Sequence, residues 1–113
     1  MVKVSGVVTR GRGKGRIFGF PTVNIALSSL IPSGIYAGKA SVGGTLYKAA
    51  IFVSVDQEMI EAHLLDFEGD LYGKEIEIEV GKKLREVERF DSEKELIAAI
   101  AKDVETVRRG RTS

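Results

Sequence analysis

The sequence lacks several residue types on which common folds and active sites depend. It contains no cysteine and no tryptophan, and only two prolines and one histidine among 113 residues. The absence of cysteine excludes disulfides, zinc–thiolate centres and thiol nucleophiles. It also favours a cytoplasmic location, because small secreted domains usually depend on disulfides. A single histidine excludes a metal site built from several histidine ligands.

An excess of charge of one sign and long apolar runs are also missing. Lys and Arg number 17 against 16 Asp and Glu, giving a formal net charge of +1, so no overall field attracts nucleic acid or an anionic membrane. No apolar run approaches the roughly 20 residues of a membrane-spanning helix, and the N-terminus lacks a signal-peptide pattern. Because independent domains run from about 50 to 250 residues, we expect residues 1–113 to form one domain. We expect it to be a monomer that binds neither membrane nor nucleic acid.

The chain is instead rich in β-strand patterns separated by glycines. Strand-like runs occupy the first nine residues, 35–42, 46–55 and 59–67, and Gly43-Gly44 is a two-residue hairpin signal between the second and third runs. Residues 75–80 alternate strictly between Glu and an aliphatic residue, which predicts a strand with Ile76, Ile78 and Val80 on the core face.

One helix is predicted at the C-terminal end. Ser92 and Glu95 match the capping box, and Gly110 can end the helix. Apolar residues recur between them at helical spacing, at Leu96, Ile97, Ile100, Val104 and Val107. About six strands followed by one amphipathic helix, without β-α-β alternation, predict a mainly β fold: an antiparallel barrel closed by a C-terminal helix.

A basic glycine cluster is the first candidate binding element. Glycine lets backbone N–H groups approach a phosphate closely, and interleaved Lys and Arg attract the anion. The cluster lacks the spacing of a Walker A or dinucleotide-binding motif, and a mobile, solubilising surface loop explains it equally well. Its glycines are Gly11, Gly13, Gly15 and Gly19, and the cations among them are Arg10, Arg12, Lys14 and Arg16.

Thr22 and Asn24 form the second candidate. On extended backbone, residues two apart project to the same side, and a hydroxyl with an amide oxygen can ligate a magnesium ion that already carries phosphate oxygens. The local alternative is that both side chains satisfy a turn after Pro21.

Glu61 is the third candidate. It lies on a mostly apolar strand face that it shares with His63, and a carboxylate is costly to bury there unless it is paired or used. Desolvation would raise its pKa toward the range that suits a general base. The alternatives are a salt bridge at the barrel rim for Glu61 and a structural role for His63.

Taken in order, these features resemble the riboflavin kinase family. The stretch GRGKGRIFGFPTVN (residues 11–24) resembles its glycine-rich segment and P-T-x-N motif, and GIYA (34–37) its G-[IV]-Y strand. The stretch EAHLLDFEGDLYG (61–73) resembles its glutamate strand and D-x-Y-G turn. Leu84-Arg85, FDS (90–92), Leu96, Ile100 and Asp103 resemble its closing segment.

The resemblance implies a six-stranded Greek-key barrel with a packed helix. It implies transfer of the γ-phosphate of ATP to the terminal ribityl hydroxyl of riboflavin, giving FMN, with Mg²⁺ or another divalent cation. Thr22 and Asn24 would hold the metal and its phosphates, and the loop from Gly11 to Gly19 would cradle the nucleotide. Glu61 would be the catalytic base, and Arg85 a flavin contact.

Two segments depart from the family pattern. FVSVDQ (residues 52–57) replaces a longer I-G-x-x-P-T-F-like loop, and Glu86 stands where the family has proline after Leu-Arg. Both fall where the flavin and the mobile flaps are expected. The sequence has no counterpart of the adenylyltransferase domain to which many bacterial kinases are fused, so FAD synthesis is not predicted.

Two other functions compete with the kinase. The basic loop and tail suit a barrel that binds nucleic acid, although this leaves Thr22, Asn24 and Glu61 unexplained. A family member that binds flavin without turnover is favoured by the altered 52–57 segment, whereas the retained Thr22, Asn24 and Glu61 favour the enzyme.

Overall fold

The computed structural model describes residues 2–9, 22–27, 30–55 and 58–110. In these ranges six β-strands are followed by one α-helix. They are β1 (Val2–Val7), β2 (Val23–Ala26), β3 (Gly34–Val42), β4 (Thr45–Val53), β5 (Met59–Leu64), β6 (Glu75–Arg85) and α1 (Glu93–Arg109). The predicted mainly β class with a C-terminal helix is confirmed.

All paired strands are antiparallel and follow the order β1-β6-β3-β4-β5-β2. Because β6 returns to lie beside β3, the order β6-β3-β4-β5 is a Greek key. The two outer strands meet at a single bridge, where the Thr9 amide donates to the Asn24 carbonyl at 2.8 Å. The sheet is therefore a nearly closed barrel, as the sequence predicted.

Glycines explain two features of the strand boundaries. Gly43 and Gly44 have φ angles of 56° and 87°, which is the pair of positive values that a type I′ hairpin requires, and Val42 pairs directly with Thr45. Strand β6 continues to Arg85, five residues beyond the predicted run. A Cβ at Gly81 would lie 2.6 Å from the Ala37 carbonyl oxygen, so glycine lets β6 pass close to β3 and remain paired.

The core fills the barrel with aliphatic residues from all six strands. Ile76, Ile78 and Val80 are buried as predicted, and the Glu side chains between them face away from the core. The largest fully buried side chains are Ile25, Ile51, Ile60, Ile78, Val4, Val53 and Val107. The inner face of the sheet is thus apolar throughout, which leaves the outer face available for polar groups.

Helix α1 packs on the outer face of this sheet. Its N-terminus is capped by Ser92, whose hydroxyl accepts from the Glu95 amide at 3.2 Å, while the Glu95 carboxylate accepts from the Asp91 amide at 3.3 Å. The chain leaves the helix at Gly110, whose N–H donates to the Thr106 carbonyl.

A second, smaller apolar cluster joins the helix to the barrel. Val107 packs there with Ala37 and Leu65, and Val104 adjoins them. Ile97, predicted on the apolar face, remains 37% exposed. Within the described residues, no helix has both the length and the apolarity that crossing a membrane demands.

Candidate active site

A row of directly paired residues crosses five strands on the outer face of the barrel. Asn24 pairs with Glu61, Glu61 with Phe52, Phe52 with Ile35, and Ile35 with Arg85. Directly opposed residues in antiparallel strands project to the same face. Their sequence neighbours Ile25, Ile60, Ile51, Val53 and Tyr36 are buried in the core. This cross-strand row therefore points outward, toward α1.

A cleft of about 200 Å³ lies over this row, between the sheet and α1. Its polar end contains Thr22, Glu61 and His63, and its other end contains Arg85 and Asp103. The part between them is largely apolar and includes Ile35, Phe52, Leu96, Ile100 and Val104. An apolar cleft with a few convergent polar groups has the composition of a small-molecule site.

Strands β2 and β5 bring four polar residues together at one end of the cleft. Asn24 lies opposite Glu61, and continuing the same register places Thr22 opposite His63. Asn24 is buried, and its carbonyl accepts from both the amide and the hydroxyl of Thr9. We call Thr22, Asn24, Glu61 and His63 the polar corner. It joins two predicted candidates that lie almost 40 residues apart in the sequence.

The donor atoms of the polar corner suit a hard divalent cation. Thr22, Asn24 and Glu61 carry hydroxyl, amide and carboxylate oxygens, which are the ligand types that Mg²⁺ takes from proteins. In the described part of the chain, no three His, Cys, Asp or Glu residues are grouped as a complete metal cage. Mg²⁺ commonly binds few protein groups and completes its shell with water and phosphate oxygens.

Arg85 and Asp103 form an ion pair at the far end of the cleft. The Arg85 Nε donates to Asp103 Oδ1 at 3.0 Å, and Nη2 donates to Oδ2 at 2.7 Å. The Arg85 Nη1 donates to the Glu86 carbonyl, and the guanidinium carbon lies 5.8 Å from the centre of the Phe90 ring. The hydrogen bond that Arg85 donates to Asp103 raises the pKa of Arg85; burial opposes this rise, and the charges of Asp103 and Glu88 add to it.

Comparison with known proteins assigns this chain to a family. The model of a family described as Flavokinase: Riboflavin kinase matches residues 1–110. The chain belongs to the riboflavin kinase family. The resemblance stated from the motifs is thereby confirmed.

A sequence relative and two solved structures are similar to this chain. The bifunctional riboflavin kinase/FMN adenylyltransferase of Bacillus subtilis is 36% identical over 112 residues, which cover 88% of this chain and 35% of that protein. The riboflavin kinase of Trypanosoma brucei is 25% identical with a TM-score of 0.68, covering 94% of this chain and 74% of that one. A Streptococcus pneumoniae protein described as a macrolide-efflux protein is 27% identical with a TM-score of 0.84, covering 96% of this chain and 38% of that one. The chain thus spans about a third of the length of the bifunctional relative.

The structure brings together the four candidate site residues that it describes. Thr22, Glu61 and Arg85 line one cleft, and Asn24 is paired with Glu61. The candidate phosphate-binding residues lie outside the described residues: Gly11, Gly13, Lys14, Gly15, Arg16 and Gly19.

Two cleft residues had no assigned site role in the sequence. Asp103 is buried and forms an ion pair with Arg85. The sequence feature that could have indicated its burial is its position between Ile100 and Val104 on the apolar face of the helix. Phe52 lies in the middle of the cleft floor. It was visible in the sequence only as the first residue of the segment that departs from the riboflavin kinase pattern.

The described residues of that departing segment are Phe52 and Val53, which end β4, and Ser54 and Val55, which follow them. Ser54 bonds to the first residue of β5: its amide and hydroxyl both donate to the Met59 carbonyl, at 3.3 and 3.2 Å. The Met59 amide donates in turn to the Ser54 hydroxyl at 3.3 Å. These bonds therefore fix where β5 begins, two residues before Glu61.

Proposed function

We propose that the chain is a riboflavin kinase, which transfers the γ-phosphate of ATP to the terminal ribityl hydroxyl of riboflavin and yields FMN. Membership of the riboflavin kinase family supports this assignment. The observation that carries it is the direct pairing of Asn24 with Glu61 at the polar end of an otherwise apolar cleft. Phosphoryl transfer depends mainly on positioning and charge neutralisation, and this end of the cleft offers groups for both.

Glu61 is the proposed general base. Its place in the cross-strand row, beside Asn24, sets its carboxylate next to the oxygen ligands of the polar corner. There it would accept the proton from the ribityl hydroxyl as that oxygen attacks phosphorus. Positioned bases of this kind contribute roughly 10²–10⁴-fold to the rate.

Thr22 and Asn24 are the proposed holders of Mg²⁺ and of the nucleotide phosphates. A divalent cation held there would supply positive charge to neutralise the charge that develops on the phosphate oxygens. The pairing of Asn24 with Glu61 places it beside β5, and burial restricts the movement of its side chain. The candidate phosphate loop with Gly11, Gly13, Lys14, Gly15, Arg16 and Gly19 is proposed to cradle the nucleotide, and Lys14 and Arg16 supply its positive charge.

The apolar part of the cleft is the proposed flavin site. Ile35, Leu96, Ile100 and Val104 offer two apolar surfaces for a flat ring, one on the sheet and one on the helix. Arg85 closes this end, and its N–H groups not held by Asp103 and Glu86 are the proposed contact to the flavin.

The test is FMN formation from riboflavin, with ATP and CTP compared in parallel, each with and without Mg²⁺. We expect product that requires both a triphosphate and the metal, and the better donor will be identified in the same assay. If neither nucleotide gives product but riboflavin still binds, the chain is a flavin-binding protein and not a kinase. If neither turnover nor flavin binding is found, binding to RNA and to single-stranded DNA across a salt series tests the nucleic-acid barrel.

A further inference from the structure

Phe52 lies in the middle of the cross-strand row, paired with Glu61 on one side and with Ile35 on the other. We infer that Phe52 determines acceptor specificity by setting the distance between the bound ring and the reacting hydroxyl. This inference rests on the proposed function. It assigns a residue-specific role to a position where the chain departs from the family pattern.

The floor of the cleft is uneven at Phe52. Along β4 the side chains alternate, so that Ala49, Ile51 and Val53 enter the core while Ala50 and Phe52 face outward. Ala50 and Phe52 both line the cleft, and the step from a methyl group to a benzyl group makes Phe52 a ridge beside Glu61. A ligand that reaches from Ile35 to Glu61 must pass over this ridge.

The spacing of the strands relates the position of this ridge to the length of the ribityl chain. Neighbouring strands lie about 4.8 Å apart, so Glu61 and Ile35, two strands apart, are separated by roughly 10 Å. With covalent bonds of about 1.5 Å, an extended ribityl chain is longer than one strand spacing and shorter than two. A hydroxyl at Glu61 therefore places the near edge of the flavin ring between Phe52 and Ile35, and the ring itself extends over Ile35.

The helix limits how far a ligand can adjust above the ridge. Leu96, Ile100 and Val104 line the same cleft from α1, and the bidentate pair between Arg85 and Asp103 joins this helix to β6. A ring that lies between the sheet and the helix can slide little without losing apolar contact. A shorter chain then leaves its hydroxyl short of Glu61, and a longer chain must buckle over Phe52.

The experiment compares riboflavin with flavins whose N10 polyol chain is one carbon shorter or one carbon longer. For the wild type we expect kcat/KM to fall roughly tenfold to a hundredfold for either analogue, because a misplacement of about 1 Å can cost that much. Phe52→Ala should bring the ratio between riboflavin and each analogue near unity, with KM for ATP unchanged. Phe67→Ala is the matched control, because Phe67 packs edge-on against Tyr47 and is not among the cleft-lining residues.

Three results would overturn the inference. The first is a wild-type kcat/KM that is the same for all three chain lengths. The second is a Phe52→Ala variant that keeps the wild-type ratio of kcat/KM between riboflavin and the analogues. The third is a Phe52→Ala variant whose kcat/KM falls equally for all three acceptors. If Phe52→Ala does not fold, Phe52→Leu replaces it, and an intermediate ratio supports the inference while an unchanged ratio opposes it. If the wild type makes no FMN, the proposed function fails separately. Fluorescence titration of wild type and Phe52→Ala with the same three flavins then decides. A Kd that depends on chain length in the wild type but not in Phe52→Ala supports the role of Phe52. A dependence that persists in Phe52→Ala refutes it.

Discussion

Arg85 and Asp103 join the last strand of the barrel to the middle of the C-terminal helix through two hydrogen bonds. The side chain of Arg85 is 23% exposed and that of Asp103 is 12% exposed, so the pair is well shielded from water. Both residues line the cleft. The pair therefore fixes the distance between the two apolar surfaces that we propose hold the flavin.

Replacing Asp103 by Asn tests this link. We expect a loss of roughly 2 kcal/mol in the free energy of unfolding, because the charged, partly buried guanidinium loses its partner. We also expect KM for riboflavin to rise several-fold while KM for ATP stays the same, since the helix borders only the flavin end. Urea denaturation and steady-state kinetics measure the two effects.

The matched control lies on the same helix. Arg109 and Glu105 form an ion pair at 2.5 Å, but both side chains are more than half exposed, and such pairs contribute little. Glu105→Gln should leave stability and both KM values close to wild type. If Asp103→Asn raised both KM values equally, the pair would be a general stabiliser and not a determinant of flavin binding.

The effect of Asp103→Asn should not depend on pH in the neutral range. Asp103 raises the pKa of Arg85 above the ordinary arginine value. The stability gained from a raised pKa is complete below the unfolded-state value and is lost only as the pH rises through the folded-state value. The difference between wild type and variant in unfolding free energy should thus be equal at about pH 7 and about pH 9. A difference that shrinks across this interval would show that another group controls it.

Glu61→Gln should keep the fold and flavin binding but lose most turnover. The amide has the shape of the carboxylate but cannot accept the proton, so we expect kcat to fall roughly 10²–10⁴-fold. Flavin fluorescence quenching and FMN formation measure binding and turnover. Glu75→Gln, on an exposed position of β6, is the control. Activity of Glu61→Gln within a factor of two of wild type would remove Glu61 from the mechanism.

Thr22→Ala should affect the magnesium nucleotide more than the flavin. Losing the hydroxyl removes one oxygen donor of the polar corner, so we expect a higher half-saturating Mg²⁺ concentration and a higher KM for ATP, with little change in flavin Kd. Thr22→Ser keeps the donor and should restore most of the wild-type behaviour. Equal losses on the nucleotide and flavin sides, with no rescue by serine, would mean that Thr22 is structural.

Lys48 should stabilise the end of helix α1 without taking part in the reaction. Its Nζ donates to the carbonyls of Arg108 and Gly110 at 3.0 and 3.2 Å, and cations at helix C-termini contribute about 0.3–1 kcal/mol. Lys48→Met should lower stability by about this amount and speed hydrogen exchange in the last turn. Lys39→Met, its cross-strand neighbour, is the control. A large fall in kcat for Lys48→Met would contradict a purely structural role.

Sequence patterns predicted the fold because its elements carry local signals. The hairpin at Gly43-Gly44, the alternation at residues 75–80 and the Ser92 cap all depend on a few adjacent residues, and each was found as expected. The full length of β6 was missed because its continuation depends on Gly81 fitting against the Ala37 carbonyl, which is a contact between distant segments.

The same distinction applies to the candidate site. Thr22, Asn24, Glu61 and Arg85 were identified by motif. The alignment of Asn24, Glu61 and Arg85 in one row, with Thr22 beside it, follows from strand register, which no single segment encodes. Asp103 appeared in the sequence only as a motif residue, because its ion pair joins elements 18 residues apart. Phe52 appeared only as a departure from a pattern, because its importance depends on what lies opposite it.

The pairing of β1 with β6 has a consequence for how the chain folds. Val2 pairs with Val80 and Val7 with Glu75, so the first strand gains its hydrogen-bonded neighbour only after most of the domain has been synthesised. Such distant contacts must overcome a large loop-closure entropy, which slows folding. A nascent chain that ends before residue 75 leaves β1 without this neighbour, so we expect the barrel to form in one late cooperative step.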